Sequence, residues 1–174
     1  NLAIGRYAGD VCLVRTTQDF ERALEDFRQE PFVGFDTETR PSFRTGDLHL
    51  PCLIQAATAR AVYLFRLRPE SDFHVPAELV AMPGTLKVGI GLAHDIRALK
   101  LLHPFEDRSM LDLGAVARYC GLGQTGLRNL AGIFLKIRIP KGTKTSNWAA
   151  PKLSAAQISY AATDAWVCRE LFLR

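Results

Sequence analysis

The stretch FVGFDTETR, residues 32–40, decides the fold class of the chain. Its first half is apolar apart from one glycine, which predicts a strand that enters a hydrophobic core. Side chains alternate along a strand, so Asp36 and Glu38 should point to one face and Thr37 and Thr39 to the other. The two carboxylates mark either a frayed strand end in solvent or a functional site. The end of an apolar strand favours the second interpretation, because sites of α/β proteins often lie there.

The rest of the chain predicts a single α/β domain over residues 1–174, with a mixed sheet and helices on its faces. The chain is 48% hydrophobic, which is enough to bury one core. Ser154 and Gln157 predict a capping box at the start of the last helix. Further strands are predicted at 11–15, 52–58, 61–65, 86–91 and 109–113, and helices at 18–30, 76–82, 93–103, 114–120, 126–135 and 153–174.

The composition restricts the class of protein. Charged residues make up 23% of the chain without a low-complexity run or an internal repeat, which argues against a disordered or solenoid protein. No apolar run approaches the roughly 20 residues that span a bilayer, so no membrane partner is expected. The net charge of +4 is compatible with a polyanionic partner, although many proteins without such a partner match it.

The cysteines indicate a reducing compartment. Cys12, Cys52, Cys120 and Cys168 lie far apart and show no CxxC spacing, which argues against disulfides and against a zinc site. Free thiols favour a cytoplasmic location. The first residues, NLAIGRYAGD, lack an initiator methionine and do not form a signal peptide, so we expect a trimmed N-terminus.

Two further acidic positions follow apolar segments. Asp95 lies at the start of a predicted helix, where it either serves a site or is simply favoured by the helix N-terminus. Its neighbour His94 is interpreted as a surface or capping residue. Tyr160 and Asp164 are four residues apart and share one face of the last helix, where a surface Tyr–Asp pair is the alternative. The alanines around them would let this helix approach the sheet closely.

Together these segments offer four carboxylates, each at a position where a functional site could form: Asp36, Glu38, Asp95 and Asp164. Clustered carboxylates are tolerable when divalent cations neutralise them, and oxygen ligands suit Mg²⁺ or Mn²⁺. Two such ions about 4 Å apart can support the hydrolysis of a phosphodiester. Periodicity and spacing alone lead to this candidate chemistry and no further.

Taken in order, these segments resemble the DEDDy 3′–5′ exonucleases, which include ribonuclease D and the exonuclease domain of the Werner syndrome helicase. FDTET supplies Asp36 and Glu38, GIGLAHDIRAL supplies Asp95, and YAATDAW supplies Tyr160 and Asp164. The connecting segments PCLIQAAT, LDLGAVARYCGL and GLRNLA also match, so the resemblance covers nearly the whole chain from the FDTET strand onward. Each motif is weak alone, but the three in order are specific.

The resemblance implies a ribonuclease H-like fold with a five-stranded mixed sheet, and hydrolysis with two ions of Mg²⁺ or Mn²⁺. The expected substrate is the 3′ end of single-stranded or 3′-overhang nucleic acid, either DNA or RNA, with release of nucleoside 5′-monophosphates. Asp36 would bridge both ions, while Glu38 and Asp164 would hold the ion that carries the attacking water. Asp95 would support the second ion, and Tyr160 would orient the water through its hydroxyl.

The loop KGTKTSNW, residues 141–148, also resembles a family feature beside the site. Lys141 and Lys144 are expected to meet phosphates. Trp148 either stacks on a base or packs in the core, and the sequence leaves both interpretations open. Gln55 lies within a predicted strand, where a structural role could account for it, and it is left out of the site.

The resemblance departs from the larger family members, which carry helical or helicase domains beside the nuclease. This chain ends ten residues after Asp164, so we expect a compact bacterial exonuclease module, or a fragment of a nuclease, without an obligate protein partner and with salt-dependent affinity. One alternative is an inactive nucleic-acid-binding module with the same fold, which would usually have lost one of the acids. Another is a related metal nuclease that cuts internally.

Overall fold

The computed structural model describes residues 1–41, 49–68, 74–141 and 146–174. The strands in this part are β1 Ala3–Ile4, β2 Asp10–Val14, β3 Phe32–Thr39, β4 Pro51–Ala57, β5 Ala61–Arg66, β6 Leu86–Gly89, β7 Met110–Asp112 and β8 Ile137–Arg138. The helices are α1 Thr17–Arg28, α2 His74–Ala81, α3 Leu92–Leu102, α4 Leu113–Tyr119, α5 Leu127–Leu130 and α6 Ala155–Phe172.

The central sheet has six strands in the order β2–β5–β4–β3–β6–β7. β4 is antiparallel to both of its neighbours, and the other pairs are parallel, so the sheet is mixed as predicted. The expected count of five strands is wrong. The extra strand, β2, precedes the part of the chain that carries the resemblance, and it adds a parallel edge to β5.

Helix ends follow the capping rules closely. Thr16 caps α1 in a capping box with Asp19, and Ser154 caps α6 in a capping box with Gln157, as predicted.

The helix predicted over 126–135 is instead divided into α5 and a π-helical turn at Ala131–Leu135. Such π-turns are often found at functional sites, and this one follows the α5 residues that line the candidate site.

Each face of the sheet has its own hydrophobic cluster. On one face, α1, α2 and α3 pack against residues of β3, β4 and β5, including Val33, Phe35 and Ile54. On the other face, α6 contributes Ala161, Ala162 and Ala165 to a cluster with residues of β4 and β5. Alternation along β3 therefore sends its odd-numbered side chains towards α1 and α3 and its even-numbered side chains towards α6.

Gly34 lets α6 lie directly on β3. A Cβ atom at this position would be 1.9 Å from the carbonyl oxygen of Ala165 and 2.8 Å from the backbone nitrogen of Arg169. Only a residue without a side chain permits this approach. The close contact predicted from the alanines of the last helix is confirmed, and it brings the middle of α6 against the end of β3.

The structure also bears on the remaining predictions from composition. All four cysteines are free thiols. Within the described ranges, no helix is long and apolar enough to cross a membrane.

Candidate active site

Three carboxylates meet where the end of β3 lies against the middle of α6. Asp36, Glu38 and Asp164 each offer an oxygen atom, and these atoms all lie within 4.8 Å of one another. Glu38 and Asp164 are only 7% and 6% exposed, so their charges are largely removed from water. The sequence predicted that Asp36 and Glu38 share a face, and the structure places both on the α6 side of the sheet.

Two hydrogen bonds hold the β3 carboxylates in place. The backbone N–H of Thr37 donates to Asp36 Oδ1 at 2.9 Å. Gln55 Nε2 donates to Glu38 Oε1 at 3.2 Å, and Gln55 itself is fully buried on β4 directly opposite Asp36. The sequence left Gln55 out of the site, and this contact gives it a structural role beside the site, as the support of Glu38. A lone amide within the apolar run CLIQAA was the available sequence signal, because a buried polar side chain needs a partner.

Asp95 approaches the same edge from the opposite face of the sheet. It lies in the first turn of α3, and its Oδ1 accepts a hydrogen bond of 2.6 Å from the hydroxyl of Thr37. Thr37 therefore points away from Glu38, as alternation predicts, yet it contacts another predicted site residue. Asp95 is not within the group of three carboxylates, but it lines the same cavity.

The turn before α3 fixes the position of Asp95. Gly91 adopts a left-handed conformation with φ 73°, which glycine accommodates without strain. Its backbone N–H donates to Asp112 Oδ1 at 3.1 Å, and the same carboxylate caps α4 through Gly114 N at 2.9 Å. Asp112, the last residue of β7, thus holds the backbone at the start of α3 by a hydrogen bond.

The electrostatics of the site favour a bound cation. Burial raises the pKa of Asp36 well above its ordinary value, and the charges of Asp164, Glu38 and Asp95 raise it further. Burial also raises the pKa of Asp95, while the hydrogen bond from Thr37 opposes that shift. A divalent cation would remove the repulsion between these groups, and carboxylate oxygens are the ligands that Mg²⁺ and Mn²⁺ prefer. The donor set therefore fits divalent metal binding.

Tyr160 places its phenol beside Asp164 in the wall of this cavity. Burial raises the pKa of its phenol, and the charges of Asp164 and Glu38 together with a hydrogen bond to Asp164 raise it further. The phenol is therefore protonated near neutral pH and is not suited to act as a base. The i, i+4 spacing places Tyr160 and Asp164 on one face of α6, as predicted.

Cys168 is the one thiol that lines this cavity among the described residues, and its burial disfavours the reactive thiolate form. Its side chain is buried one turn beyond Asp164. Burial raises the pKa of the thiol well above its ordinary value, and the charges of the surrounding carboxylates raise it further. Because the thiolate is the reactive form, the chemistry of the site rests on the carboxylates.

A cavity of about 760 Å³ surrounds these groups. This volume is in the range of small-ligand sites, roughly 300–1,000 Å³. Its walls beyond the carboxylates come from α3, α5 and the segment after β8. They include the side chains of His94, Arg128, Asn129 and Lys141.

The predicted nucleic-acid contacts have different outcomes. Lys141 is exposed and lines the cavity. Lys144 lies outside the described residues. Trp148 is fully buried in the cluster beneath α6, with its ring centroid 6.0 Å from that of Tyr160. The assignment of Trp148 as a nucleic-acid-binding residue is therefore corrected, because its side chain has no exposed surface on which a base could stack.

Comparison with known families agrees with this geometry. The sequence model of the 3′–5′ exonuclease family matches residues 11–174. The chain belongs to this 3′–5′ exonuclease family. Ribonuclease D from Gluconacetobacter diazotrophicus is 32% identical over 167 residues, which cover 94% of this chain and 42% of that protein. Ribonuclease D from Haemophilus influenzae is 33% identical over 150 residues, which cover 83% of this chain and 36% of that protein.

Solved structures from the exonuclease family share the fold. The exonuclease domain of Nibbler from Aedes aegypti superposes with a TM-score of 0.83 at 25% identity, covering 97% of this chain and 89% of that domain. RNase D from Escherichia coli superposes with a TM-score of 0.82 at 20% identity, covering 94% of this chain and 44% of that one. The ribonuclease H-like fold is thereby confirmed. The chain spans about two-fifths of the length of the ribonuclease D relatives named above.

Proposed function

We propose that residues 1–174 form a single exonuclease domain that hydrolyses nucleic acid from its 3′ end with two divalent metal ions, Mg²⁺ or Mn²⁺. The observation that carries this proposal is the meeting of Asp36, Glu38 and Asp164 within 4.8 Å of one another. Asp95 and Tyr160 line the same cavity as these three carboxylates, so all five residues of the exonuclease motif border one cavity.

The carboxylates divide naturally between two ions. Asp36 would contribute to both ions, because the charges of Asp164, Glu38 and Asp95 all act on its carboxyl group. Glu38 and Asp164 would hold one ion, and Asp95 would support the other. Two divalent cations, when bound, would neutralise the carboxylates and polarise the scissile phosphodiester.

The chain's own groups would orient the reactants. Gln55 donates a hydrogen bond to Oε1 of Glu38, which would orient that carboxylate toward the ions. Tyr160, protonated at neutral pH, would hold the attacking water or a phosphate oxygen through its hydroxyl. Water would add to phosphorus, the bond to the 3′ oxygen of the preceding nucleotide would break, and that oxygen would leave with a proton. The product is a nucleoside 5′-monophosphate.

The volume of the cavity and its basic lining residues support the proposed substrate class. A volume of about 760 Å³ with Arg128 and Lys141 in its walls suits the terminal nucleotide of a single strand or a 3′ overhang. The same cavity would accept DNA or RNA.

The test is digestion of matched 5′-labelled DNA and RNA oligonucleotides with Mg²⁺, Mn²⁺ or EDTA. A ladder that shortens from the 3′ end in the presence of metal is expected, and a 3′-blocked oligonucleotide should resist digestion. Asp36→Asn and Asp164→Asn should lower the rate at least 100-fold, whereas Asp10→Asn, on the exposed start of β2, should not. Binding without metal-dependent cleavage would instead indicate an inactive module, and cleavage of the blocked substrate an internal nuclease.

A further inference from the structure

A second cavity of about 360 Å³ adjoins the first, behind Tyr160. The two cavities share Tyr160 and Lys141 in their walls, so they are neighbouring compartments of one cleft. The second is lined on one side by the first turns of α6, and on the other by Ile139 and Pro140. Arg6, from the segment before β2, completes the wall.

The charge of this cavity is opposite to that of the first. Arg6 and Lys141 are its charged lining residues, and both side chains are exposed to solvent. No carboxylate lines it among the described residues. Within that part of the chain, neither cation forms an ion pair. Two unneutralised cations beside an acidic centre attract an anion to this location.

Hydrogen bonds on both sides hold Arg6 in this wall. The backbone N–H of Gly5 donates to the carbonyl of Arg138 at 3.0 Å, continuing the parallel pairing of β1 with β8. The backbone N–H of Tyr7 donates to the hydroxyl of Thr163 on α6 at 3.0 Å. Gly5 is buried, and a Cβ atom there would be 2.5 Å from the side chain of Ile137. The backbone around Arg6 is therefore fixed to the body of the domain.

We propose that this second cavity is a phosphate-ester subsite in which Arg6 and Lys141 bind a nucleotide phosphate. The inference rests on the proposed exonuclease function, because both the substrate strand and the released nucleoside 5′-monophosphate carry this group. The apolar wall formed by Ile139 and Pro140 would contact the attached sugar or base. Arg6 is the diagnostic residue, since it lines the second cavity and not the first.

The experiment measures binding directly, in EDTA, so that it does not depend on cleavage. Arg6→Gln and Lys141→Gln are compared with Arg28→Gln, which removes the same charge from α1 on the opposite face of the sheet. A fluorescently labelled single-stranded 10-mer is titrated by anisotropy at several salt concentrations, and adenosine 5′-monophosphate is titrated by calorimetry.

If the strand occupies the subsite, Arg6→Gln should raise the Kd of the 10-mer three- to tenfold. It should also reduce the slope of log Kd against log salt by about 0.7, the value for one single-strand phosphate contact. If the product occupies it, the Kd of the monophosphate should rise by a similar factor while that of the 10-mer does not change. The proposal is overturned if Arg6→Gln stays within twofold of Arg28→Gln for both ligands. Failure of the exonuclease function would appear separately, as absence of cleavage by the unmodified protein.

Discussion

The hydroxyl of Thr37 donates a 2.6 Å hydrogen bond to Asp95, joining β3 to the first turn of α3 across the edge of the sheet. Thr37 stands between Asp36 and Glu38 in the sequence but faces away from Glu38. One strand end thus supplies two carboxylates to the α6 side and holds a third carboxylate from the other side. This hydroxyl links Asp95 directly to the strand that carries the other two acids.

Replacing Thr37 by valine should weaken metal binding. Valine has the same shape but cannot donate, so Asp95 loses a bond that favours its charged form. The metal concentration that gives half-maximal cleavage should rise roughly 10-fold, the lower end of the range for groups that orient metal ligands. The measurement is cleavage rate against Mn²⁺ concentration. Thr37→Ser, which keeps the hydroxyl, should behave like the unmodified protein, and an unchanged metal dependence in Thr37→Val would contradict the proposed role.

Replacing Asp36 by asparagine should stabilise the metal-free protein and remove its response to metal. Burial raises the pKa of Asp36, and the charges of Asp164, Glu38 and Asp95 raise it further, so the substitution removes an acid that is costly to ionise at this position. In EDTA the Tm should rise by a few degrees, equivalent to about 1 kcal/mol. Addition of Mg²⁺ or Mn²⁺ should raise the Tm of the unmodified protein but not that of the variant. Calorimetry with Asp10→Asn as the control makes the comparison, and an equal metal-induced shift in both variants would exclude Asp36 as a ligand.

Replacing Gly34 by alanine should separate α6 from β3. The new methyl group would overlap the backbone of Ala165, which cannot move without shifting the helix. A loss of about 3 kcal/mol in the free energy of unfolding is expected, at the upper end for overpacking. Activity should fall in parallel, since Asp164 moves with the helix. Urea denaturation provides the measurement. Gly84→Ala, where a Cβ atom meets nothing within 4 Å, should change neither property.

Lys87 gives the protein a stability that increases at alkaline pH. Its side chain is fully buried on β6 and donates to the carbonyl of Met82. Burial lowers its pKa to about 8. Between that value and the ordinary lysine pKa of about 10.4, the unfolded chain binds the proton and the folded protein does not, so stability rises with pH across this interval. Below pH 8 the cost of holding the charged lysine is fully present.

Lys87→Met isolates this effect. The variant should be more stable than the unmodified protein at pH 7, by about 2 kcal/mol, and the difference should shrink as the pH approaches 10. Urea denaturation at intervals of half a pH unit measures it. A constant difference across the whole range would show that Lys87 binds its proton equally in both states.

Replacing Trp148 by leucine should affect stability and not nucleic-acid binding. The indole is fully buried, and its N–H has no hydrogen-bond partner in the described part of the chain. Loss of packing should lower the free energy of unfolding by about 2–4 kcal/mol. The Kd of a single-stranded oligonucleotide in EDTA should stay within twofold at 10 °C. A residue on which bases stack would give the opposite result, a rise of fivefold or more in Kd with little loss of stability.

The features that the sequence predicted are those set by local periodicity. Alternation along β3 predicts that Asp36 and Glu38 share a face, and the helical repeat predicts the same of Tyr160 and Asp164. The capping box at Ser154 depends on residues only three apart. For such features, the chemistry of neighbouring residues is sufficient.

The features that were missed depend on contacts between distant segments. Gln55 supports Glu38 only because β4 pairs with β3 in the observed register. Arg6 reaches the cleft because β1 pairs with β8, more than 130 positions later in the chain. Trp148 could pack or stack on local grounds, and only the surrounding cluster decides between the two. None of these contacts leaves a periodic pattern in the sequence.

The placement of Tyr160 and Asp164 on α6 has a consequence for protein synthesis. The ribosome makes β3, β4 and α3 well before it makes this helix, so an emerging chain holds Asp36, Glu38 and Asp95 without their remaining partners. If these residues hold the metal ions as proposed, hydrolysis should begin only after α6 has left the exit tunnel and docked against Gly34. In the proposed exonuclease the group of three carboxylates is therefore incomplete until α6 has been made and has folded against the sheet.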